Sequence, residues 1–178
     1  GGVYNIDNVV VNKLDNSKAT YTLNINTTQD VTLNVSNSTF CGWNSFGPST
    51  TATFTNVNFE GTYQQDCAIF KPHGTATLSN CRFAQGYHLD LSTLAAGEIL
   101  TFNNCYVGEV LLTAGNIKTL FKIAEGYDDK KNQVIFNSSV ANAVNGTVTM
   151  EQDGVAFTSV WVENGTLNGA GHTLTVAE

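Results

Sequence analysis

With 178 residues, 42 % of them apolar and 13 % charged, the chain is long enough for one continuous core and too apolar to stay disordered. Its net charge of −7, with eight Lys and Arg in all, excludes the clustered cations that a phosphate backbone or an anionic membrane surface demands. No apolar stretch reaches the roughly 20 residues of a membrane-spanning helix, so neither nucleic acid nor membrane insertion is expected.

The chain begins at Gly1-Gly2 without a leader-like apolar segment, which reads as a mature or trimmed form. From there one pattern recurs: apolar, any residue, Asn, any two residues, apolar. It runs first as Ile6-Asp7-Asn8-Val9-Val10-Val11, then as Val35-Ser36-Asn37-Ser38-Thr39-Phe40 and Phe54-Thr55-Asn56-Val57-Asn58-Phe59. Leu78-Ser79-Asn80-Cys81-Arg82-Phe83 and Phe102-Asn103-Asn104-Cys105-Tyr106-Val107 follow. A degenerate copy is read at Phe136-Asn137-Ser138-Ser139-Val140-Ala141, and the last at Val162-Glu163-Asn164-Gly165-Thr166-Leu167. The turning positions lie 19 to 34 residues apart with a mean of 26, the length of a solenoid coil with variable loops.

Within each repeat the period is two. Leu33, Ala52, Ala76 and Leu100 stand four residues before the Asn, and Val35, Phe54, Leu78 and Phe102 two before it. Thr53, Thr77 and Thr101 fill one polar column between them. That alternation predicts strands buried on one face. The Asn suits a corner that needs left-handed backbone angles. Stacked coil on coil, its amides are expected to form a ladder buried in the solenoid, and exposed asparagines would count against this fold. The residue after the Asn should fill an inward corner, which makes Cys81 and Cys105 buried thiols on neighbouring coils, with a disulfide as the alternative. Cys41 and Cys67 lie in other parts of the coil, and the sequence assigns them no pairing. No cysteine or histidine spacing suits a metal; no cofactor is called for, and calcium is the one ion left open.

Segments such as Ala76-Thr77-Leu78-Ser79-Asn80-Cys81-Arg82-Phe83, and the closing run from Asn164 to Thr175, resemble the right-handed parallel β-helix proteins of the pectate-lyase-like superfamily. The resemblance implies an all-β solenoid of about seven coils, a single domain spanning 1–178. It covers nearly the whole chain and speaks for architecture far more than for activity, since this fold hosts lyases, hydrolases, tailspikes and adhesins. No amphipathic helix caps the first coil and the chain stops soon after a coil begins, so it reads as part of a longer protein with flanking domains, or as a homo-oligomer that covers its ends. An Asn/Thr-rich, Lys-poor surface points to a secreted or cell-surface protein, of bacterial or phage origin.

The enzymes of this fold set acids, bases and cations on one solvent face. The richest such neighbourhood here runs from Asp66 to Glu109. In Tyr87-His88-Leu89-Asp90-Leu91 the leucines should point inward, leaving His88 and Asp90 outward together as a candidate acid/base pair. Arg82 and Tyr106 share an outward column and suit a sugar carboxylate and a sugar ring. Tyr63, Tyr87 and Trp43 are further candidate ligand contacts, Trp43 also reading as a core plug. The chain departs from those enzymes in lacking stacked aspartates; Asp128-Asp129 falls in a charged insertion loop, and Gly171-His172 on the final coil is placed far from it. The expected function is therefore a non-catalytic extracellular module, structural or binding a glycan or cell-surface polysaccharide. The alternative is a polysaccharide lyase or glycoside hydrolase using His88, Asp90 and Arg82.

Overall fold

The computed structural model describes residues 1–12 and 21–176. The chain is all-β apart from short helical turns, and its short strands stack into long parallel sheets, an arrangement consistent with a β-helix or solenoid. One sheet has eight strands, all paired in parallel, from Gly2–Asp7 through Val31–Ser36, Thr50–Thr55, Thr75–Ser79 and Leu100–Asn103 to Val134–Val144, Ala156–Glu163 and Thr175–Val176. A second runs Val10–Val11, Thr39–Cys41, Asn58–Glu60, Arg82–Phe83, Tyr106–Val107, with Val110–Leu111 turning back antiparallel on the last. A third holds Tyr21–Ile25, Trp43–Phe46, Ile69–Pro72, His88–Asp90 and Ile123–Glu125. As far as Ile123–Glu125 the chain visits first, second and third sheet in that order, over and over.

Register carries the core. Leu33, Ala52, Ala76, Leu100 and Val134 pair in one continuous line, and Val35, Phe54, Leu78, Phe102 and Phe136 in the next. All ten are buried. On the second sheet Phe40, Phe59, Phe83 and Val107 form the facing line, also buried. The first strands are the outer edge of each sheet, and Tyr4, although it pairs with Leu33, is 52 % exposed there.

The turning asparagines correct the burial expected of them. Asn8, Asn37, Asn56, Asn80 and Asn104 all have φ between 48° and 56° or close to it, Asn37 at 47°, yet only Asn104 is even half-covered and the others are exposed. What the corner requires is the left-handed backbone, not a buried amide. Each main-chain N–H there continues the sheet, as from Asn56 to the Ser79 carbonyl at 3.0 Å and from Asn80 to the Asn103 carbonyl at 2.8 Å, while the side chain points to solvent. A true amide rung joins Asn56 to Asn37 at 3.2 Å, and Asn37 in turn donates to Asp7. Because Cβ-bearing residues without a short polar side chain pay for positive φ, Asn80→Ala is expected to cost about 1 kcal/mol and Asn80→Gly much less; urea midpoints of the two variants measure this.

The inward corner behaves as expected from Ser38 to Cys105, while Val9 on the first coil is exposed. Ser38, Val57, Cys81 and Cys105 are buried, and Cys81 and Cys105 are thiols with no disulfide between them. Ser38, Cys81 and Cys105 each donate to the carbonyl two residues earlier, at 2.6, 3.5 and 3.5 Å. A small donor at this position covers a carbonyl that the tight corner turns away from the sheet.

The sixth repeat is the main misplacement. Ser138 does not turn the chain; Val134–Val144 continues straight through it as an 11-residue strand. Its first part pairs with Leu100–Asn103 and its later part with Ala156–Glu163, so Val160 lies opposite Ala141 rather than in the Val134 line. The corner falls instead at Asn145, φ 50°, as the next does at Asn164, φ 49°. Both are followed by Gly-Thr and a short strand, Thr147–Thr149 and Thr166–Asn168, which pair with each other in parallel.

Candidate functional site

The third sheet displays the first candidate cluster. Leu89 is inward and fully buried, which turns His88 and Asp90 outward on the same strand as expected. Neither is open to solvent, however: the two are 5 % and 7 % exposed. Asp90 lies beside Lys71 of the neighbouring strand, Nζ to Oδ2 2.6 Å, and its Oδ1 accepts from the Ser92 amide at 3.0 Å and hydroxyl at 2.5 Å. Burial pushes the Asp90 carboxyl up, but the Lys71 and Ser92 hydrogen bonds together outweigh it and leave the group below the usual carboxylate range.

His88 is covered by Tyr63, whose ring meets it edge-on with centroids 4.8 Å apart. Tyr63 is held there by the one-turn helix Tyr63–Asp66. Thr62 caps it by accepting from the Gln65 amide, and Asp66 accepts from the Thr62 amide at 2.8 Å, a reciprocal arrangement that fixes short turns. Both His88 ring nitrogens are buried without a hydrogen-bond partner, the Glu125 carboxylate standing off at 3.7 Å. Burial holds the imidazole below the ordinary histidine range, against the pull of Asp90 and Glu125 and with some help from Lys71. The unfolded chain protonates near 6.5, so the stability that neutral His88 contributes is complete above that pH and is lost as pH falls below it. Urea midpoints of the wild type are expected to drop more between pH 8 and pH 5 than those of His88→Leu. Parallel curves would mean that His88 takes up its proton without cost in the folded state.

Arg82 does not join this cluster. It stands on the second sheet, where Nη1 donates to Glu109 Oε1 at 2.9 Å and to the Gly108 carbonyl, and its guanidinium lies 5.2 Å from the centre of the Tyr106 ring. Among the described residues no hydrogen bond or ion pair links Arg82 to His88 or Asp90. The convergence of the three that the enzymatic alternative requires is absent among the described residues, and two separate groups stand on different sheets. The pairing of Arg82 with Tyr106 in one outward column is as read from the sequence. With Asn58, Asn80, Asn104 and Ser139 they line a polar trough of about 330 Å³. The trough follows the corner between the first two sheets, where the turning asparagines present their amides.

Two aromatic candidates change meaning. Tyr87 is fully buried, a correction to its reading as a ligand contact. It precedes the strand, where the chain bends inward, and its ring joins Phe59 and Phe83. Its hydroxyl donates to the Gly42 carbonyl at 2.6 Å and accepts from the Asn44 amide at 2.7 Å, which accounts for a polar Asn44 facing the core. Trp43 is no core plug: with Asn44 inward it faces out, half-buried, tilted 37° against the Tyr21 ring at 5.4 Å.

The charged loop forms a short helix, Tyr127–Lys130, and a 3-10 turn, Lys131–Gln133. Contrary to the distance expected between them, this loop and the His172 segment border one cleft, through Tyr127, Lys131 and His172. Among the described residues no group of three or more His, Cys, Asp and Glu side chains is placed to hold a metal ion. Comparison with models of protein families, with curated proteins and with solved structures found no match.

Proposed function

We propose that the chain is a right-handed parallel β-helix of about seven coils, of the pectate-lyase-like kind, acting outside the cell as a non-catalytic module that binds a glycan. The observation that carries the reading is the trough at Arg82 and Tyr106. Neutral amides and a hydroxyl line it, a phenol ring supplies a stacking face, and the guanidinium is 43 % exposed in its side chain. Sugars are recognised by that combination of amide hydrogen bonds and an aromatic face. The Arg82 partner, Glu109, is 91 % exposed, so the pair is weak and a sugar carboxylate can take its place. The outer face of the first sheet, with Thr53, Thr77 and Thr101 in register, extends the neutral polar surface beside the trough. His88 and Asp90 have the opposite character, His88 closed over by Tyr63 and Asp90 held by Lys71 and Ser92, and they are assigned to stability.

Titration calorimetry against a panel of neutral and acidic oligosaccharides tests this, together with an assay for new reducing ends. Binding weakened at least about tenfold in both Arg82→Ala and Tyr106→Ala, with no new ends, is the expected result. Cleavage by the wild type that disappears in a His88→Ala, Asp90→Ala variant would replace this reading with a polysaccharide lyase or glycoside hydrolase. Binding indifferent to Arg82 and Tyr106 would remove the trough as the site.

A further inference from the structure

The step in strand Val134–Val144 opens the molecule. Where its pairing passes from Leu100–Asn103 to Ala156–Glu163, the core lines no longer meet, and the loop after Val110–Leu111 does not fill the gap. The result is an apolar cleft of about 390 Å³ walled by Leu112, Phe136, Val148, Met150, Val155 and Phe157. Against it lies a second space of about 510 Å³ with a mixed lining, Lys131, Asn132, Asp153 and His172 beside Val134 and Ile135. Ala114, Glu151 and Gln152 line both, so the two spaces adjoin at these residues, an apolar floor beside a mouth that carries the charged groups.

At that junction Gln152 Nε2 is buried with no hydrogen-bond partner in the protein. An unmet buried donor costs about 1–3 kcal/mol, and in a native protein it calls for an explanation. Its neighbours do not supply an acceptor. Asp153 Oδ1 is directed to the Thr173 amide and to His172 Nδ1, each at 3.2 Å, and no hydrogen bond joins the carboxylate to Gln152. The Glu151 carboxylate is drawn over Gly115, where a Cβ would stand 2.7 Å from Oε1. Water is a poor occupant for the floor, since apolar walls give it few partners.

We propose that this cavity binds a small molecule with an apolar body and one neutral hydrogen-bond acceptor, the body on the Phe136–Phe157 floor and the acceptor on Gln152 Nε2. Size and lining are those of a small-ligand site, a mostly apolar concavity with a few placed polar groups. The acceptor is a neutral carbonyl or ether oxygen because the buried Gln152 amide brings no charge to offset an anion, and the mouth carries both signs, Lys131 with Glu151 and Asp153. The site is separate from the trough and independent of what binds there.

Prodan, a naphthalene carrying a ketone, whose emission shifts to the blue in apolar surroundings, is the probe for the test. N-phenyl-1-naphthylamine, which lacks the carbonyl acceptor, is its control. The wild type is expected to bind both at one saturable site. Gln152→Leu should weaken prodan about fivefold to tenfold, the value of one hydrogen bond, and leave the control within about twofold. Ala114→Trp, at the junction of the two spaces, should abolish both. Should that variant fail to fold, as thermal melting would reveal, the Gln152→Leu comparison decides alone. No saturable blue shift, equal losses for the two probes in Gln152→Leu, or unchanged binding in a folded Ala114→Trp would overturn the proposal. So would a sedimentation result in which Ala114→Trp dissociates a dimer, which would make the cleft an interface between copies.

Discussion

Phe59→Ala is expected to destabilise the protein by about 3–5 kcal/mol, the range for removing a fully buried phenylalanine. Phe59 is the hub of the aromatic interior. Its ring stacks on Phe83 at 4.6 Å and 13°, lies 6.5 Å from Phe40 along the same line, and meets Phe54, Phe70 and Tyr87 edge-on at 5.7, 5.2 and 6.2 Å. Those partners come from all three sheets, so the vacancy would lie where the sheets face one another, and rigid strands on every side allow it little collapse. The same substitution in the outward line gives the contrast: Thr53→Ala should change stability by no more than about 0.5 kcal/mol. Urea unfolding with linear extrapolation measures both. A loss below about 1 kcal/mol at Phe59 would mean that the sheets do not close around it.

The contrast between Phe59 and Thr53 also explains what could be read without coordinates. A strand with one buried face writes its geometry into alternate residues. The lines through Leu33, Ala52, Ala76 and Leu100, and through Phe40, Phe59 and Phe83, were therefore legible with their register. The turning asparagines were legible as a backbone demand, but the same letters do not say which way the side chain points, and their burial was wrongly inferred from their regularity. The sixth corner was missed for a different reason. Phe136-Asn137-Ser138 copies the spacing of Phe102-Asn103-Asn104, so a pattern search halts there, while the strand runs on to a second apolar-Asn site. A usable signal existed in Asn145-Gly146-Thr147, which matches Asn164-Gly165-Thr166. Of the candidate site, the outward pairing of His88 with Asp90 and of Arg82 with Tyr106 followed from period two. That the two pairs occupy different sheets did not, because it depends on the turn from Ala84 to Tyr87. Nor did the lid over His88, or the cavity at Gln152, which arise from loop and strand lengths that no periodicity encodes.

The second large effect is expected at Lys71. Asp90 is a nearly buried carboxylate, its side chain 10 % exposed, and the Lys71 side chain beside it is 22 % exposed. Removing one member of such a pair strands the other, so Lys71→Met should cost about 3 kcal/mol at pH 7. Its pH dependence separates this from lost packing. In the wild type the Asp90 carboxyl is lowered, so its contribution is present above the unfolded value of about 3.9 and disappears as pH falls through the folded one. Without Lys71, burial acts against the Ser92 hydrogen bonds alone and the carboxyl rises. A raised folded carboxyl has the opposite sign, losing stability as pH climbs through it. The gap between wild type and variant should therefore close on going from pH 7 to pH 3.5 in urea unfolding. Lys71→Met combined with Asp90→Leu should recover to within about 1 kcal/mol of the wild type at pH 7, since an apolar pair replaces a desolvated ionic one at little cost. A gap that stays constant with pH, or a double variant no better than Lys71→Met, would show that Lys71 contributes through the packing of its stem and that the ion pair itself stabilises nothing.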